Sequence, residues 1–167
     1  MATDQKQRPT SADVLFGGTH VRQEIEKRSD DLFDALGTSK EQHAKIRNEF
    51  VEIENATGLA PGVVARIANS FIDGEIARAR ADDKDAYDAE ASKGLDRANE
   101  KLRHALRATY GEDAEDLLER TQRFVRAHPK LAKVLQSHGL GSRRDIVEGI
   151  AAHVQSTYWG AKPETRK

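Results

Sequence analysis

The chain has 167 residues, no cysteine and a net charge of −1, with 37% apolar, 33% charged and only 5% aromatic residues. Without thiols there can be no disulfide, thiolate metal site or cysteine nucleophile, and so few aromatic rings do not line a large apolar ligand pocket. The low apolar share favours thin helical layers with much solvated surface over a thick core.

Residues 1–18 read as a flexible arm, polar, carrying Pro9 and ending in Gly17-Gly18, with one apolar triplet at Val14-Leu15-Phe16. From His20 to Leu36 the residues Val21, Ile25, Leu32, Phe33 and Leu36 recur at helical spacing, and Gly37 is a natural stop. Ser39 with Gln42 forms a capping-box signature for a helix carrying Ile46, Phe50 and Ile53, closed by Gly58. Pro61 opens a third helix whose face of Val63, Val64, Ile67, Phe71, Ile72 and Ile76 is the widest in the chain and the expected centre of the core.

The acidic stretch at 82–90 is expected to begin one long helix through Tyr87, Ala91, Leu95, Ala98, Leu102 and Leu106, with Gly94 costing roughly 1 kcal/mol relative to alanine. Its face is shallow, so Leu95, Leu102 and Leu106 are assigned to a coiled-coil-like self-association seam. Gly111 breaks the chain. A helix from Asp113 to Ala127 follows, then a short one from Pro129 with Leu131, Val134 and Leu135. After Gly139-Leu140-Gly141, Ser142 is expected to cap a last helix carrying Ile146, Val147, Ile150 and Val154. No stretch alternates with the period of a strand. The prediction is an all-α, elongated protein of about six or seven helices: an arm at 1–18, an extended helical region at 19–110, a helix-turn-helix unit at 111–158 and a polar tail at 159–167.

Charge is unevenly placed. Residues 41–100 hold 8 Lys/Arg against 13 Asp/Glu, and residues 101–167 hold 13 against 8. This polarity suits docking of a basic end on an acidic partner, and Arg120, Arg123, Arg126, Lys130, Lys133, Arg143 and Arg144 are the expected partner-binding residues. No run of about eighteen apolar residues occurs, and the start, MATDQKQRPTSAD, lacks an apolar signal stretch, so neither membrane insertion nor export is expected.

Catalytic and ligand motifs are missing. His138-Gly-Leu-Gly-Ser-Arg-Arg144 is the nearest to a phosphate loop, but the third glycine position holds Arg144 and a helix precedes it, so it reads as a tight turn, with an anion site at the helix start beside Arg143 and Arg144 as the residual reading. The run Asp82, Asp83, Asp85, Asp88 fails as a calcium loop, because counting from Asp83 its fifth, sixth and twelfth places hold Tyr87, Asp88 and Gly94. The six histidines show no metal-ligand pairing on one helix. The helix from Pro61 is wrong for reading DNA, since its only early base is Arg66. No catalytic residue, metal or cofactor is assigned, and the chain is expected not to be an enzyme.

The order of a Thr57-Gly58-Leu59 turn, an apolar helix, a long charged helix, Tyr110-Gly111-Glu112 opening another helix, Pro129-Lys130-Leu131-Ala132, Gly139-Leu140-Gly141 and the Asp145-Ile146-Val147 helix resembles the C-terminal half of capsid-assembly scaffolding proteins of tailed bacteriophages and prophages. The resemblance covers roughly residues 57–155. Two departures stand beside it. Ser142-Arg143-Arg144 follows the GLG turn where the family has a small polar residue and a proline, and residues 1–56 lack the family's long acidic half. The resemblance implies a non-enzymatic assembly protein or internal virion component in the bacterial host cytoplasm, homo-oligomeric and docking on a capsid or portal protein. A helical DNA-associated packaging factor and a cytoplasmic regulatory binding protein are the alternatives.

Overall fold

Ser39 sets the start of the first helix, α1 (Lys40–Thr57): its Oγ accepts from the Gln42 N–H at 3.4 Å while Gln42 Oε1 accepts from the Ser39 N–H at 3.2 Å. Two otherwise orphaned donors are thereby satisfied. The helix ends where Gly58 turns left-handed at φ 65° and sends its N–H back to the Glu54 carbonyl. Thr57 seals that end by donating its hydroxyl to the Ile53 carbonyl at 2.7 Å and accepting from the Leu59 N–H at 3.2 Å. These details belong to a computed structural model, which describes residue 37 and residues 39–159. The arm expected at 1–18, the helix expected at 20–36 and the tail beyond Trp159 lie outside the described residues.

α2 (Pro61–Arg80) starts with a proline where no N–H is required. Asp83 then caps α3 (Lys84–Ser92), its carboxylate accepting from the N–H groups of Asp85 and Ala86, both at 3.0 Å. α4 (Leu95–Tyr110) leads through a short 3₁₀ turn, Gly111–Asp113, to α5 (Ala114–Ala127) and α6 (Pro129–Gln136). A second 3₁₀ segment, Ser137–Ser142, carries the chain into α7 (Arg144–Trp159). The protein is all-α, with no strand among the described residues, and no described helix is long and apolar enough to cross a membrane.

The core follows from the apolar face of α2. Val64, Ile67, Ala68 and Ile72 are fully buried, and α1, α3, α7 and the Ser137–Ser142 turn all pack on this helix. Phe50 of α1 meets Phe71 edge-on at 5.7 Å. From the other half of the chain come Leu117, Leu131, Leu140, Ile146, Ile150 and Val154, all within one cluster with the α2 residues. Each such side chain stabilises the fold by about 2 kcal/mol. A second cluster of Leu102, Leu106, Ala114 and Val147 joins α4 and α5 to α7.

Two expectations change, and the packing bears on two more. The boundary at 110/111 does not divide the core, because residues from both sides of it share one cluster. The long helix is two helices, since Gly94 at φ 81° turns the chain between α3 and α4. Ser142 does not cap α7; its hydroxyl donates to Asn99 Oδ1 at 2.8 Å, and the helix begins at Arg144. The residues of the expected self-association seam find cover within the chain. Leu102 and Leu106 are 5% and 1% exposed, covered by the chain's own helices, and the half-buried Leu95 faces the turn near Gly139. A shallow face here meets α5 and α7 of the same molecule.

Leu102→Glu therefore tests the fold. Placing a carboxylate in the second cluster is expected to lower stability by about 3 kcal/mol or more. Urea unfolding should register that loss, while the sedimentation coefficient of the folded fraction stays as it is in the parent chain.

Candidate functional site

Most of the basic side chains expected to bind a partner already hold one inside the chain. On α5, Arg120 reaches Asp116 at 2.8 Å and Arg123 pairs with Glu119. Lys130 of α6 bridges to Glu52 of α1, and Arg144 meets Glu148 at 2.8 Å. Arg143 forks onto both oxygens of Asp145 at 3.1 and 3.0 Å and gives a further nitrogen to Ser70 Oγ at 2.8 Å. Burial pushes the Asp145 carboxyl up, but the Arg143 fork and the N–H groups of Asp145 and Ile146 outweigh it and hold the carboxyl below its ordinary value. Such exposed pairs add little to stability, at most about 1 kcal/mol each. Their effect is to cancel charge locally.

The exceptions form a pattern. Arg126 has only the amide of Gln122 beside it, at 3.5 Å, and Arg103 makes no ion pair among the described residues. Lys133 is likewise exposed and unpaired among the described residues. Arg120 and Arg123 have a carboxylate four residues earlier, which is the position where helical side chains meet. At the same position before Arg103 and Arg126 stand the neutral amides Asn99 and Gln122.

Both of those arginines stand at one groove. Its floor is built from Leu102 of α4, Leu118 and Val125 of α5, Leu135 of α6 and Val147 and Ile150 of α7. Its rim carries Asn99, Arg103, Gln122, Arg126 and Gln136, with no Asp or Glu in the lining. The space is about 360 Å³ and open along one side. Gly141 forms part of the wall with backbone alone, 3.3 Å separating the Leu135 carbonyl from where a Cβ would stand.

A second, polar cleft lies at the turn between α6 and α7. His138 is the only non-glycine residue with positive φ among the described residues, at 53°, and its side chain is 10% exposed. Its Nε2 lies 2.7 Å from Glu75 Oε1, and its ring packs edge-on against Phe71 and Tyr87 at 5.8 and 6.4 Å. The ring fills the space where a Cβ at Gly74 would stand. Beside it, Arg78 forks onto Asp88 at 2.9 Å. That hydrogen bond, with the charge of the guanidinium, lowers the Asp88 carboxyl below its ordinary value.

This cleft has the parts of a structural clamp. The hydroxyls of Ser92 and Ser137 that border it donate to the carbonyls of Asp88 and Lys133, not to His138, so no Ser–His pair forms there. Among the described residues no three His, Asp or Glu side chains converge to hold a metal ion. The structure thus brings together Arg126, from the expected set, and Arg103, which sequence reasoning passed over. It leaves Arg120, Arg123, Lys130, Arg143 and Arg144 in internal pairs. The signal for the groove was present as amides in place of acids one turn before these two arginines. Compared with known protein families, curated proteins and solved structures, the chain matches none.

His138 gives one test. His138→Ala removes the ring and keeps the left-handed backbone, and should cost about 3 kcal/mol in urea unfolding. His138→Gly removes the same ring but relieves the backbone, and should cost about 1 kcal/mol less. Arg78 gives another. By carbon-13 NMR Asp88 should titrate below the ordinary carboxylate range, and Arg78→Gln should move its midpoint up toward that range. The sign for stability follows: the contribution of the pair is present above the ordinary carboxylate range and is lost as pH falls through the depressed native value.

Proposed function

We propose that this chain is a non-enzymatic assembly protein of a tailed phage or prophage, a scaffold-like factor or an internal virion component, that docks on a capsid or portal protein through its C-terminal helices. The observation that carries this reading is the groove between α4, α5, α6 and α7, an apolar trough with cations at its edge. Apolar floors with polar rims are the anatomy of protein docking sites. The resemblance across residues 57–155 supplies the biological setting, with the bacterial host cytoplasm as the place of action. Self-association through Leu95, Leu102 and Leu106 is not part of the proposal, because Leu102 and Leu106 are enclosed by their own chain.

The pairing of charges speaks against the DNA-associated alternative. A surface that neutralises phosphates needs free lysines and arginines along a stripe, whereas Arg107, Arg120, Arg123, Arg143 and Arg144 each hold a carboxylate.

The test is co-expression of the full chain with the capsid and portal proteins encoded in the same genome, followed by sedimentation. The chain is expected to co-sediment with one of them, with less recovered as salt rises. Reversing charge at Arg103 and Arg126 should reduce recovery more than reversing it at Arg143 and Arg144. Failure to co-sediment with either protein, together with salt-dependent binding to duplex DNA, would replace the docking reading by the packaging one.

A further inference from the structure

We infer that the groove between α4, α5, α6 and α7 seats an acidic amphipathic helix of the partner protein, apolar side chains on its floor and carboxylates against Arg103 and Arg126. This rests on the docking reading above and names the chemistry of the partner.

Three observations select that occupant. The lining is aliphatic, with Leu118 and Val125 half-buried above the buried side chains of Leu102, Leu135 and Val147. Helix-in-groove recognition uses such a trough to take apolar anchors at i, i+3, i+4 and i+7 of a docking helix. The groove is open along one side, whereas small-molecule sites enclose most of their ligand. The lining has two guanidinium groups and no carboxylate, so a helix with basic flanks is repelled and one with acidic flanks is steered in.

The substitution of amides for acids strengthens the last of these. Asp116 and Glu119 occupy the positions that tie down Arg120 and Arg123, and on the same helix Gln122 occupies the equivalent position before Arg126. On α4, Asn99 stands in that place before Arg103, and Asn99 is occupied by the Ser142 hydroxyl. The guanidinium groups at the groove keep their charge available, while those elsewhere on α5 do not.

A second copy of this chain is a poorer fit. Its described acidic helix, α3, has one large side chain that could serve as an anchor, Tyr87, and that ring is engaged with His138 and the Gly74 carbonyl.

The probe is a fluorescein-labelled peptide of about 18 residues, long enough to hold helical structure, with Leu at i, i+3, i+4 and i+7 and Glu on the flanks. Its control carries Lys in place of Glu. Fluorescence anisotropy with the full chain is expected to show the Glu peptide bound at least tenfold tighter than the Lys peptide. Gln122→Glu combined with Arg103→Gln should weaken the Glu peptide at least tenfold with helicity unchanged by circular dichroism. Arg107→Gln, which removes a guanidinium held by Glu115 away from the groove, should change it less than twofold. No binding of the Glu peptide, or equal binding of the two peptides, overturns the inference. Two further outcomes also overturn it by naming another occupant. One is a dimer in sedimentation that Gln122→Glu dissolves. The other is Glu-peptide binding that appears only after Leu32→Glu and Phe33→Glu, in the chain's own Asp30-Asp31-Leu32-Phe33-Asp34 stretch. If the Glu peptide fails while the chain still co-sediments with a capsid or portal protein, the inference falls alone. If both fail, the docking reading falls with it.

Discussion

Val64, Ile67, Ala68 and Ile72 on α2 are withdrawn completely from solvent, and the neighbouring helices are placed by the way they cover them. A chain with few aromatic rings cannot fill a wide space between helices, so the helices must come close. Small residues at the contacts allow this. At Gly149 on α7 a Cβ would stand 2.9 Å from Val63 Cγ2, closer than packed atoms tolerate, so the approach of α7 to α2 requires glycine there. Ala68 and Ala151, both buried, serve the same end on the two helices. Once α7 lies against α2, its other side presents Val147 to Leu102 and Leu106, and the second cluster follows.

The turn between α6 and α7 has to reverse the chain beside this core. It does so with two successive left-handed residues, His138 and Gly139. Glycine adopts that conformation without cost, but a histidine there stores about 1–2 kcal/mol. The return on that strain is visible in the contacts of the ring: Glu75, Phe71 and Tyr87 come from α2 and α3, so one side chain ties the C-terminal turn to the acidic half of the molecule. Arg66 and Arg143 add polar ties between α2 and the start of α7, to the Asp145 carbonyl and the Ser70 hydroxyl. The sequence polarity between an acidic and a basic half is thus partly consumed in joining the halves to each other.

Local signals explain which features were legible before the structure. The capping box at Ser39, the stop at Gly58 and the proline start at Pro61 depend on neighbours within four residues, and they stand where the pattern put them. The face of α2 was legible because its apolar residues are both large and periodic. What covers the face of α4 was not legible, for a physical reason. Periodicity says that Leu102 and Leu106 share a face, but what covers the face depends on α5 and α7, which the spacing does not specify. Gly94 was misjudged in the same manner. Its cost inside a helix is only about 1 kcal/mol, too little to decide locally between one long helix and two, and the packing of Tyr87 and Leu95 around the His138 turn decides it. A list of basic residues was legible too, but not their pairing, since Lys130 and Arg143 find Glu52 and Ser70 across the fold.

The partial cancellation of charge sharpens what the remaining cations can mean. An acid four residues before an arginine contributes about 0.3–0.5 kcal/mol to a helix, so replacing it by an amide costs the fold almost nothing. Stability therefore does not dictate whether position 99 or 122 carries a carboxylate or an amide. Along α5 the first two arginines have acids at that spacing and the third, at the groove, has Gln122. A solvated surface with no further role would gain slightly from completing the series. Leaving it incomplete where Leu118 and Val125 are also partly open to solvent couples an apolar surface to an uncompensated positive field in one place. The two features favour the same kind of ligand by independent physics, burial of aliphatic area and attraction of carboxylates. That coincidence, more than the overall basic balance of the C-terminal residues, is what the docking proposal rests on.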